Sequence, residues 1–245
     1  MIAATPAAAV AWHTALEMAG IFVGMRVFAA TMRRRGESIG KRGGFAVAAG
    51  CIVGAVLGSR IAVWLDRPDI ALAAWRTLVP WTMGQSIVGA LIGGWAGVEV
   101  GKRVGGVSRS TGDAFVLPLA LGIAIGRLGC FIAGLHDDTY GIETSLPWGV
   151  DFGDGVPRHP TQIYDVAAVA ALALALHAVR DRLTHVPGLA FKLFLAGYLA
   201  WRVVIDHWKP VHFAWPGGLS GLQLLALAFL AIYLPFVLRA ARRLR

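Results

Sequence analysis

Three of the arginines that lie inside strongly apolar stretches of the sequence stand well away from the cytoplasmic end of their stretch, where a charged side chain is unusual. They are Arg60, Arg127 and Arg202. A cation placed in a membrane interior costs at least about 2.5–3.5 kcal/mol, so such a residue has either a partner or a function. The arginine side chain stays charged and offers a planar fork of N–H donors that matches the oxygens of a phosphate. These residue types therefore indicate an anion site, and phosphate is the ligand that fits it.

The apolar stretches around these arginines predict an integral membrane protein. The 245 residues are 57% hydrophobic and only 15% charged, whereas soluble domains are about 45–50% apolar and about 25% charged. A helix that crosses a membrane needs roughly 20 mostly apolar residues. Seven stretches meet that requirement, near residues 8–30, 43–65, 81–100, 113–135, 161–179, 188–207 and 218–239. We therefore predict an all-α protein with seven transmembrane helices, which forms one polytopic domain over residues 1–245.

Two smaller patterns describe how these helices begin and pack. The first stretch is predicted to be a retained span rather than a cleaved signal peptide, because no basic segment precedes it and Glu17 and Arg26 interrupt it. Small residues at helical spacing, as in the segments 89–93 and 97–101, predict close contact between helices.

The basic residues are distributed unevenly between the loops, which predicts the orientation of the chain. The loops after the first, third and fifth spans and the C-terminal segment hold fourteen of the 23 lysines and arginines, namely Arg33, Arg34, Arg35, Lys41, Arg42, Lys102, Arg103, Arg109, Arg180, Arg182, Arg239, Arg242, Arg243 and Arg245. The loops on the other side hold Arg67, Arg76, Arg158 and Lys209. Since cytoplasmic loops carry the excess of positive charge, the N-terminus is predicted to lie outside and the C-terminus in the cytoplasm. The net charge of +9 then reflects topology, and nucleic acid is not an expected partner.

Five basic residues remain inside the predicted spans, and two of them, Arg26 and Lys192, lie near the cytoplasmic boundary and can extend to it. With this orientation, the other three, Arg60, Arg127 and Arg202, lie at a similar depth. Each one is about five to eight residues before the outer end of its helix, which places it roughly 8–12 Å below the outer boundary. A phospholipid head group that enters from the outer leaflet is the expected ligand. The alternative is structural pairing, because Glu17 and Asp206 also lie in the outer halves of their spans. The matched depth favours the functional interpretation.

Histidines and cysteines form no metal-binding pattern along the sequence. No histidine lies at metal-like spacing from another histidine or from either cysteine, so neither a metal site nor another cofactor is predicted. His136 and His159 bracket the longest outer loop, residues 136–160. His159 belongs to the segment PRHPTQIY, residues 157–164, whose two prolines favour a helix that opens at the second proline or just after it. This segment is a second candidate part of the site.

Five short motifs occur along the chain, in the predicted spans and in the outer loop. They are LGSR at residues 57–60, GRLGCFIAG at 126–134, LPW at 146–148, PRHPTQIY at 157–164 and GYLAWR at 197–202. Together they resemble the motifs of the prolipoprotein diacylglyceryl transferases, and the similarity extends over all seven spans in order. Such a set of separated motifs is more specific than any one of them.

This resemblance implies an enzyme of the bacterial inner membrane, which moves a diacylglyceryl group from phosphatidylglycerol to the lipobox cysteine of a prolipoprotein and releases glycerol phosphate. The implied partners are phosphatidylglycerol, prolipoprotein substrates and the lipid bilayer. By the resemblance, Arg127 and Arg202 match arginines near the phosphate, and Tyr198 and Gly141 match a tyrosine and a glycine of the family. The expected catalytic residues are Arg127, Arg202 and His159. The expected substrate-binding residues are Arg60, Arg158, Tyr164, Tyr198, Gly141 and Cys130.

Two positions depart from the family pattern. Val88 stands where the family has the histidine that is usually offered as the proton acceptor, and Cys130 stands where it has an asparagine. We therefore expect His159 or His136 to supply a base if one is needed, since a histidine has an unperturbed pKa of about 6.5. The altered position also leaves two alternatives open, a non-catalytic phospholipid-binding protein and, less favoured, an anion transporter.

Overall fold

The computed structural model describes residues 2–3, 5–35, 41–77 and 84–244. Its helices, numbered along the chain, are α1 (Pro6–Arg34), α2 (Lys41–Asp66), α3 (Pro68–Ala73), α4 (Ile87–Gly105), α5 (Val116–Ala133), α6 (Thr161–Ala178), α7 (Arg180–Leu183), α8 (Leu189–Ile205) and α9 (Gly221–Ala241). Short 3-10 turns span Gly112–Phe115, Gly134–Asp137, Asp206–Trp208 and Arg242–Leu244. The strands β1 (Val150–Asp151) and β2 (Pro157–Arg158) form a small hairpin. The prediction of a helical protein is confirmed, with this hairpin as an addition.

Several helices are long and apolar enough to cross a membrane, so this is a multi-pass membrane protein. Five such segments are described, namely Pro6–Arg34, Arg42–Asp66, Gly112–Asp137, Thr161–Ala178 and Gly221–Leu244. Two helices that coincide with predicted spans, α4 and α8, are not long and apolar enough to be among these five. Helix α4 carries Glu99, Lys102 and Arg103 near its end, and α8 has only 17 residues, about 25 Å of rise against a hydrocarbon core of about 30 Å. The first residues of the third predicted span, 81–83, lie outside the described residues.

The chain folds into two compact units, each assembled from separate stretches of sequence. The first unit consists of Met1–Gly36, Thr111–Pro210 and Arg239–Arg245, and the second of Glu37–Ser110 and Val211–Leu238. Helices α1, α5, α6, α7 and α8 therefore belong to the first unit. Helices α2, α3, α4 and most of α9 belong to the second.

The second unit is built on tight packing of α2 against α4. Facing glycines of the two helices leave so little room that a methyl group on any of them would overlap the backbone of the opposite helix. These glycines are Gly50, Gly54 and Gly58 in α2 and Gly89, Gly93 and Gly97 in α4. The close contact predicted from the small residues is thus confirmed. Trp95 of α4 also packs edge-on against Phe229 and Tyr233 of α9.

The first unit places α5 in contact with both α1 and α6, and α6 in contact with α8. The start of α8 is fixed by Asp113, whose carboxylate accepts hydrogen bonds from the backbone N–H groups of Gly188 (2.6 Å) and Phe191 (3.0 Å). A carboxylate satisfies the free N–H groups that every helix start presents. This cap sets the position of α8, which carries Tyr198 and Arg202.

The loop between α5 and α6 is ordered by a turn around Asp151. Its Oδ1 atom accepts hydrogen bonds from the backbone N–H groups of Gly153, Asp154 and Gly155, at 2.8, 3.1 and 3.0 Å. Gly153 and Gly155 have φ angles of 112° and 81°, a region that favours glycine. The turn closes the hairpin, in which Val150 lies opposite Arg158.

Candidate active site

A buried carboxylate, Asp165, lies at the centre of the charged groups of the first unit. It is in the second turn of α6 and is fully buried. Its Oδ2 atom lies 3.0 Å from Nε of Arg127 on α5 and 3.3 Å from Nη1 of Arg202 on α8. Its Oδ1 atom accepts a 2.7 Å hydrogen bond from the indole N–H of Trp201. Three helices therefore bring two arginines onto one carboxylate.

Two more charged residues follow at the end of α8. Nη2 of Arg202 donates to Oδ1 of Asp206 over 2.6 Å, one helical turn later. The 3-10 turn after α8 then brings Lys209 back, so that its Nζ atom lies 3.3 Å from Oδ2 of Asp165 and 3.9 Å from Oδ1 of Asp206. We call Arg127, Asp165, Arg202, Asp206 and Lys209 the charged cluster. It combines three cations with two carboxylates.

The charged cluster is shielded from solvent. The side chain of Lys209 is 11% exposed, the largest value in the cluster, and that of Asp165 is 0% exposed. Burial, together with the nearby charge of Arg202, lowers the pKa of Lys209 from its usual 10.5 to about 7. The cluster therefore carries one net positive charge when Lys209 is protonated and none when Lys209 is neutral. Its attraction for an anion depends on pH near neutrality.

Several buried polar atoms beside the cluster have no hydrogen-bond partner among the described residues. They include Nε of Arg202, Oδ2 of Asp206 and both amide atoms of Gln162. An unpaired buried polar atom costs about 1–3 kcal/mol, so each one requires an explanation such as a ligand or a water molecule. Tyr198 is fully buried one turn before Arg202 on the same helix. The cluster thus retains Nε of Arg202 as a buried N–H donor that has no hydrogen-bond partner among the described residues.

A second group of reactive side chains lies next to Arg127. Its Nη1 atom is 3.9 Å from Sγ of Cys130, one turn later on α5. The same sulfur is 3.8 Å from Nε2 of His13 on α1, and Nδ1 of His13 is 2.9 Å from Oδ1 of Asp137. The sequence predicted no pairing of a histidine with a cysteine. His13 and Cys130 are 117 positions apart, and the packing of α1 against α5 brings them together.

The outer loop holds His159 in a network of aromatic side chains. Nδ1 of His159 is 3.3 Å from the hydroxyl of Tyr164, which accepts a 2.7 Å hydrogen bond from the indole N–H of Trp148. The imidazole ring also lies 6.2 Å from the ring of Trp208, the residue before Lys209. The predicted residues His159 and Tyr164 are therefore in direct contact within one network of side chains.

Gly141 lies against the backbone of His159. Its N–H group donates to the carbonyl of His159 over 3.1 Å. A Cβ atom at position 141 would overlap that carbonyl. Any larger residue would displace the backbone that carries the imidazole. This close contact explains why a glycine is needed at position 141.

Comparison with known proteins agrees with the sequence motifs. The family described as prolipoprotein diacylglyceryl transferase matches residues 1–239 of the chain. The chain belongs to this family. The phosphatidylglycerol–prolipoprotein diacylglyceryl transferase of Bordetella avium is 34% identical over 204 residues, which cover 79% of this chain and 76% of the relative. The proteins of the same name from Methylocella silvestris and Rhizobium meliloti are each 31% identical, over 209 residues (78% and 73% of the two chains) and 164 residues (64% and 58%) respectively.

Arg158 of this diacylglyceryl transferase homologue is engaged within the outer loop. Its Nη1 atom lies 2.6 Å from Oδ1 of Asp154 and donates over 3.1 Å to the carbonyl of Val156. Its guanidinium also lies over the ring of Tyr140, 5.4 Å from the centroid. These contacts support the hairpin, and the expected role of Arg158 in lipid binding stays a prediction.

Arg60 and Val88 belong to the second unit of the transferase homologue. Nη1 of Arg60 donates to the carbonyl of Gly84 over 2.7 Å. Val88 is 2% exposed and lies in the first turn of α4. A buried apolar residue thus occupies the position where the resemblance leads one to expect a histidine.

Sequence reasoning missed Asp165, Lys209 and His13 as parts of the site. Asp165 is an ionisable residue inside the fifth predicted span, so the rule that identified the arginines would also have found it. Lys209 was assigned to an outer loop, and only the 3-10 turn shows that it folds back onto the cluster. The alternative of structural pairing is confirmed for Arg202 with Asp206. Pairing and ligand binding are compatible here, because Nε of Arg202 keeps no partner among the described residues.

Proposed function

We propose that this protein transfers the diacylglyceryl group of phosphatidylglycerol to the lipobox cysteine of a prolipoprotein, a step in the maturation of bacterial lipoproteins. The relatives named above carry this activity in their names. The observation that carries the proposal is the buried pair Arg127 and Arg202, both held on Asp165. A buried pair of guanidiniums beside unpaired polar atoms suits a phosphate ester better than it suits a purely structural role.

The chemistry needs charge stabilisation on the phosphate side. The sulfur of the acceptor cysteine forms a bond to the glyceryl carbon, the bond between that carbon and the phosphate oxygen breaks, and glycerol phosphate leaves with the electron pair. A phosphodiester with one negative charge becomes a phosphate monoester with up to two. Fixed cations in a site of low dielectric stabilise that added charge without reorganising. Arg127 and Arg202 take this role, and Lys209 adds a third cation when it is protonated.

The head group has a defined set of neighbours in this proposal. Gln162 and Tyr198 are fully buried; Gln162 precedes Asp165 by three residues on α6, and Tyr198 precedes Arg202 by four residues on α8. The free amide atoms of Gln162 supply a donor and an acceptor, which suit the hydroxyl groups of a glycerol head group. Cys130, Tyr164, Gly141, Arg60 and Arg158 remain proposed substrate-binding residues, and each can be tested by substitution.

The thiol proton needs an acceptor, and we assign it to His159. Its imidazole is held by Tyr164 and lies beside Trp208, at the loop proposed to face the outer surface. His136 was the other expected candidate, and it lies in the 3-10 turn Gly134–Asp137. If His159→Gln retains the transfer rate, this assignment is wrong.

We also propose that α4 and α8 cross the membrane, which completes seven spans of a single polytopic protein in the bacterial inner membrane. The 3-10 turn Asp206–Trp208 extends the helical path of α8 to a tryptophan, a residue suited to the membrane interface. The distribution of lysine and arginine supports an outer N-terminus and a cytoplasmic C-terminus. Reporter fusions after each predicted span test this topology, and an active periplasmic reporter after residue 109 would contradict it.

Complementation tests the proposed activity. The chain is expressed in cells depleted of their own transferase, and a lipobox peptide is analysed by mass spectrometry for a diacylglyceryl adduct. The native chain should produce the adduct, whereas Arg127→Ala and Arg202→Ala should each reduce it by at least about a hundredfold. Arg180→Ala is the matched control, since the Arg180 side chain is 61% exposed.

Lipid binding, measured on the same purified variants, separates the alternatives. Binding of phosphatidylglycerol without any adduct, in a correctly inserted protein, would support the non-catalytic interpretation. Unchanged affinity in both arginine variants would show that Arg127 and Arg202 are structural.

A further inference from the structure

A cysteine, a histidine and an aspartate converge beside the charged cluster. Sγ of Cys130 lies 3.8 Å from Nε2 of His13, and Nδ1 of His13 lies 2.9 Å from Oδ1 of Asp137. One ligand atom from each of the three residues can be chosen so that all three lie within 4.8 Å of one another. The three residues come from different elements, so the group is assembled by the fold rather than by a local turn.

These three side chains are ligands of the kind that zinc prefers. Zinc is bound by cysteine sulfur, histidine nitrogen and carboxylate oxygen at about 2.0–2.3 Å, which places the ligand atoms of a tetrahedral site about 3.3–3.6 Å apart. His13 contacts Cys130 through Nε2 and Asp137 through Nδ1, so only one of these nitrogens can bind the metal. The three ligand atoms, which lie within 4.8 Å of one another, must then close to about 3.3–3.6 Å. A thiolate and a carboxylate would also neutralise the charge of Zn²⁺ within the protein.

The surroundings of the group match a catalytic metal site better than a closed structural one. Three protein ligands leave a fourth position for a substrate. The side chain of His13 is 34% exposed, whereas that of Asp137 is 9% exposed, so the group is open on the side of the histidine. Oδ2 of Asp137 accepts a 2.6 Å hydrogen bond from the hydroxyl of Thr139, which orients the carboxylate.

The three side chains of His13, Cys130 and Asp137 lie close to Arg127, which suggests that they act on the same lipid substrate. Nη1 of Arg127 lies 3.9 Å from Sγ of Cys130, and Arg127 is the proposed phosphate ligand. A thiolate bound to a metal ion here would lie close to the head group whose ester bond must break.

We propose that His13, Cys130 and Asp137 bind a Zn²⁺ ion, whose fourth position takes the cysteine thiolate of the prolipoprotein. The catalytic part of this proposal rests on the transferase function proposed above, and the metal site itself does not. It revises the expectation from the sequence that the chain has no metal site.

The reaction step balances without a further reactant. The acceptor thiol loses its proton on binding to Zn²⁺, since a coordinated thiol is deprotonated outright, and the proton passes to His159. The sulfur lone pair then forms the bond to the glyceryl carbon, and the bond from that carbon to the phosphate oxygen breaks. Glycerol phosphate departs with the electron pair, and the neutral thioether leaves the metal.

The metal site is tested first, with the metal alone. The full chain is purified in detergent, treated with a chelator and titrated with Zn²⁺, with bound metal measured by mass spectrometry. One Zn²⁺ per chain is expected, and Co²⁺ in its place should give the absorption band of a cobalt thiolate. Cys130→Ser, His13→Ala and Asp137→Asn should each weaken binding by at least tenfold. Cys51→Ser and Asp138→Asn are matched controls that should bind normally.

A protection experiment avoids reliance on variants that could fail to fold. In a Cys51→Ser background, Cys130 is the remaining cysteine of the chain, and Zn²⁺ should slow its alkylation by N-ethylmaleimide. Binding below one ion per chain, equal binding by the three ligand variants, or alkylation unaffected by Zn²⁺ would each overturn the metal site.

Transfer to a lipobox peptide tests the catalytic part separately. Removal of the metal should reduce the rate at least tenfold, and added Zn²⁺ should restore it. Equal rates with and without the metal would overturn the catalytic role. A normal metal site in a chain that never forms the adduct would instead contradict the transferase function.

Discussion

Lys209 should make the binding of phosphatidylglycerol depend on pH near neutrality. Its ammonium group is buried against Asp165 and Asp206 and lies near two guanidiniums, those of Arg202 and Arg127. Burial and the charge of Arg202 are the largest causes that lower its pKa to about 7. A bound phosphate interacts favourably only with the protonated form. Affinity for the lipid should therefore fall as the pH rises through 7.

The size of the effect follows from the protonated fraction of Lys209. With a pKa of about 7, that fraction is about 90% at pH 6 and about 10% at pH 8. If the charged form carries the binding, the Kd for phosphatidylglycerol should rise about tenfold between these two pH values. The assay is displacement of a fluorescent phosphatidylglycerol from the protein in nanodiscs at constant ionic strength.

Lys209→Arg is the matched variant, because a guanidinium stays protonated across this range. It should bind the lipid with nearly the same Kd at pH 6 and pH 8. The stability of the protein without lipid should depend on pH in the opposite direction to the lipid affinity. Since the unfolded chain binds the lysine proton up to its usual pKa of 10.5, the native protein without lipid should gain stability as the pH rises from 7 toward 10.5, and the Arg variant should lose that part of the gain. Equal pH dependence of Kd in the two proteins would refute the role given to Lys209.

Three further predictions concern the framework of the site. Asp165→Asn removes the shared partner of the buried cations and should destabilise the protein by about 3–5 kcal/mol, seen as a lower midpoint of thermal unfolding in detergent; an unchanged midpoint would show that Asp165 does not hold the cluster. Gly93→Ala, which overlaps the backbone of the facing helix, should cost about 1–3 kcal/mol in the same measurement. A Cβ on the neighbouring Gly94 would lie 3.5 Å from Cβ of Ala55, so Gly94→Ala should be tolerated; equal effects of the two would contradict the close packing. Gly141→Ala should displace His159 and lower the rate of transfer more than it lowers lipid affinity, and equal losses of both would place the effect in lipid binding instead.

The arginines of the charged cluster were predictable from the sequence, because a cation inside an apolar span is conspicuous. Arg127 and Arg202 met that criterion, and they share Asp165 in the structure. Arg60 met it as well, yet it belongs to the second unit, where it bonds to the carbonyl of Gly84. Depth along a helix does not specify which neighbour a side chain faces. The neighbours of a side chain depend on how the helices pack, and helix packing cannot be deduced from a single sequence.

Other parts of the site could not be found from local spacing. Lys209 is separated from the apolar part of its helix by three residues, and only the 3-10 turn directs its side chain back onto Asp165. The contact of His13 with Cys130 joins two helices across 117 positions. Arg158, which the motif match assigns to the lipid, forms an ion pair with Asp154 in the structure, and its role in lipid binding stays a prediction. Sequence motifs therefore identify candidate site residues, and the contacts in the structure indicate the role of each residue.

The carboxylates of the charged cluster reduce the repulsion between its cations, so the cations can stay close together when no anion is bound. Three cations within a few ångströms would repel one another in a buried site, and Asp165 holds them in place at the cost of part of their charge. The remaining single positive charge would match the phosphodiester of the proposed lipid substrate. In the proposed reaction, the phosphate gains a second negative charge as the ester bond breaks, so the same fixed cations would interact more strongly with the departing group than with the intact lipid. Only such a difference accelerates the chemical step. Deprotonation of Lys209 should therefore lower kcat in addition to raising KM for the lipid, and in Lys209→Arg both should become independent of this titration.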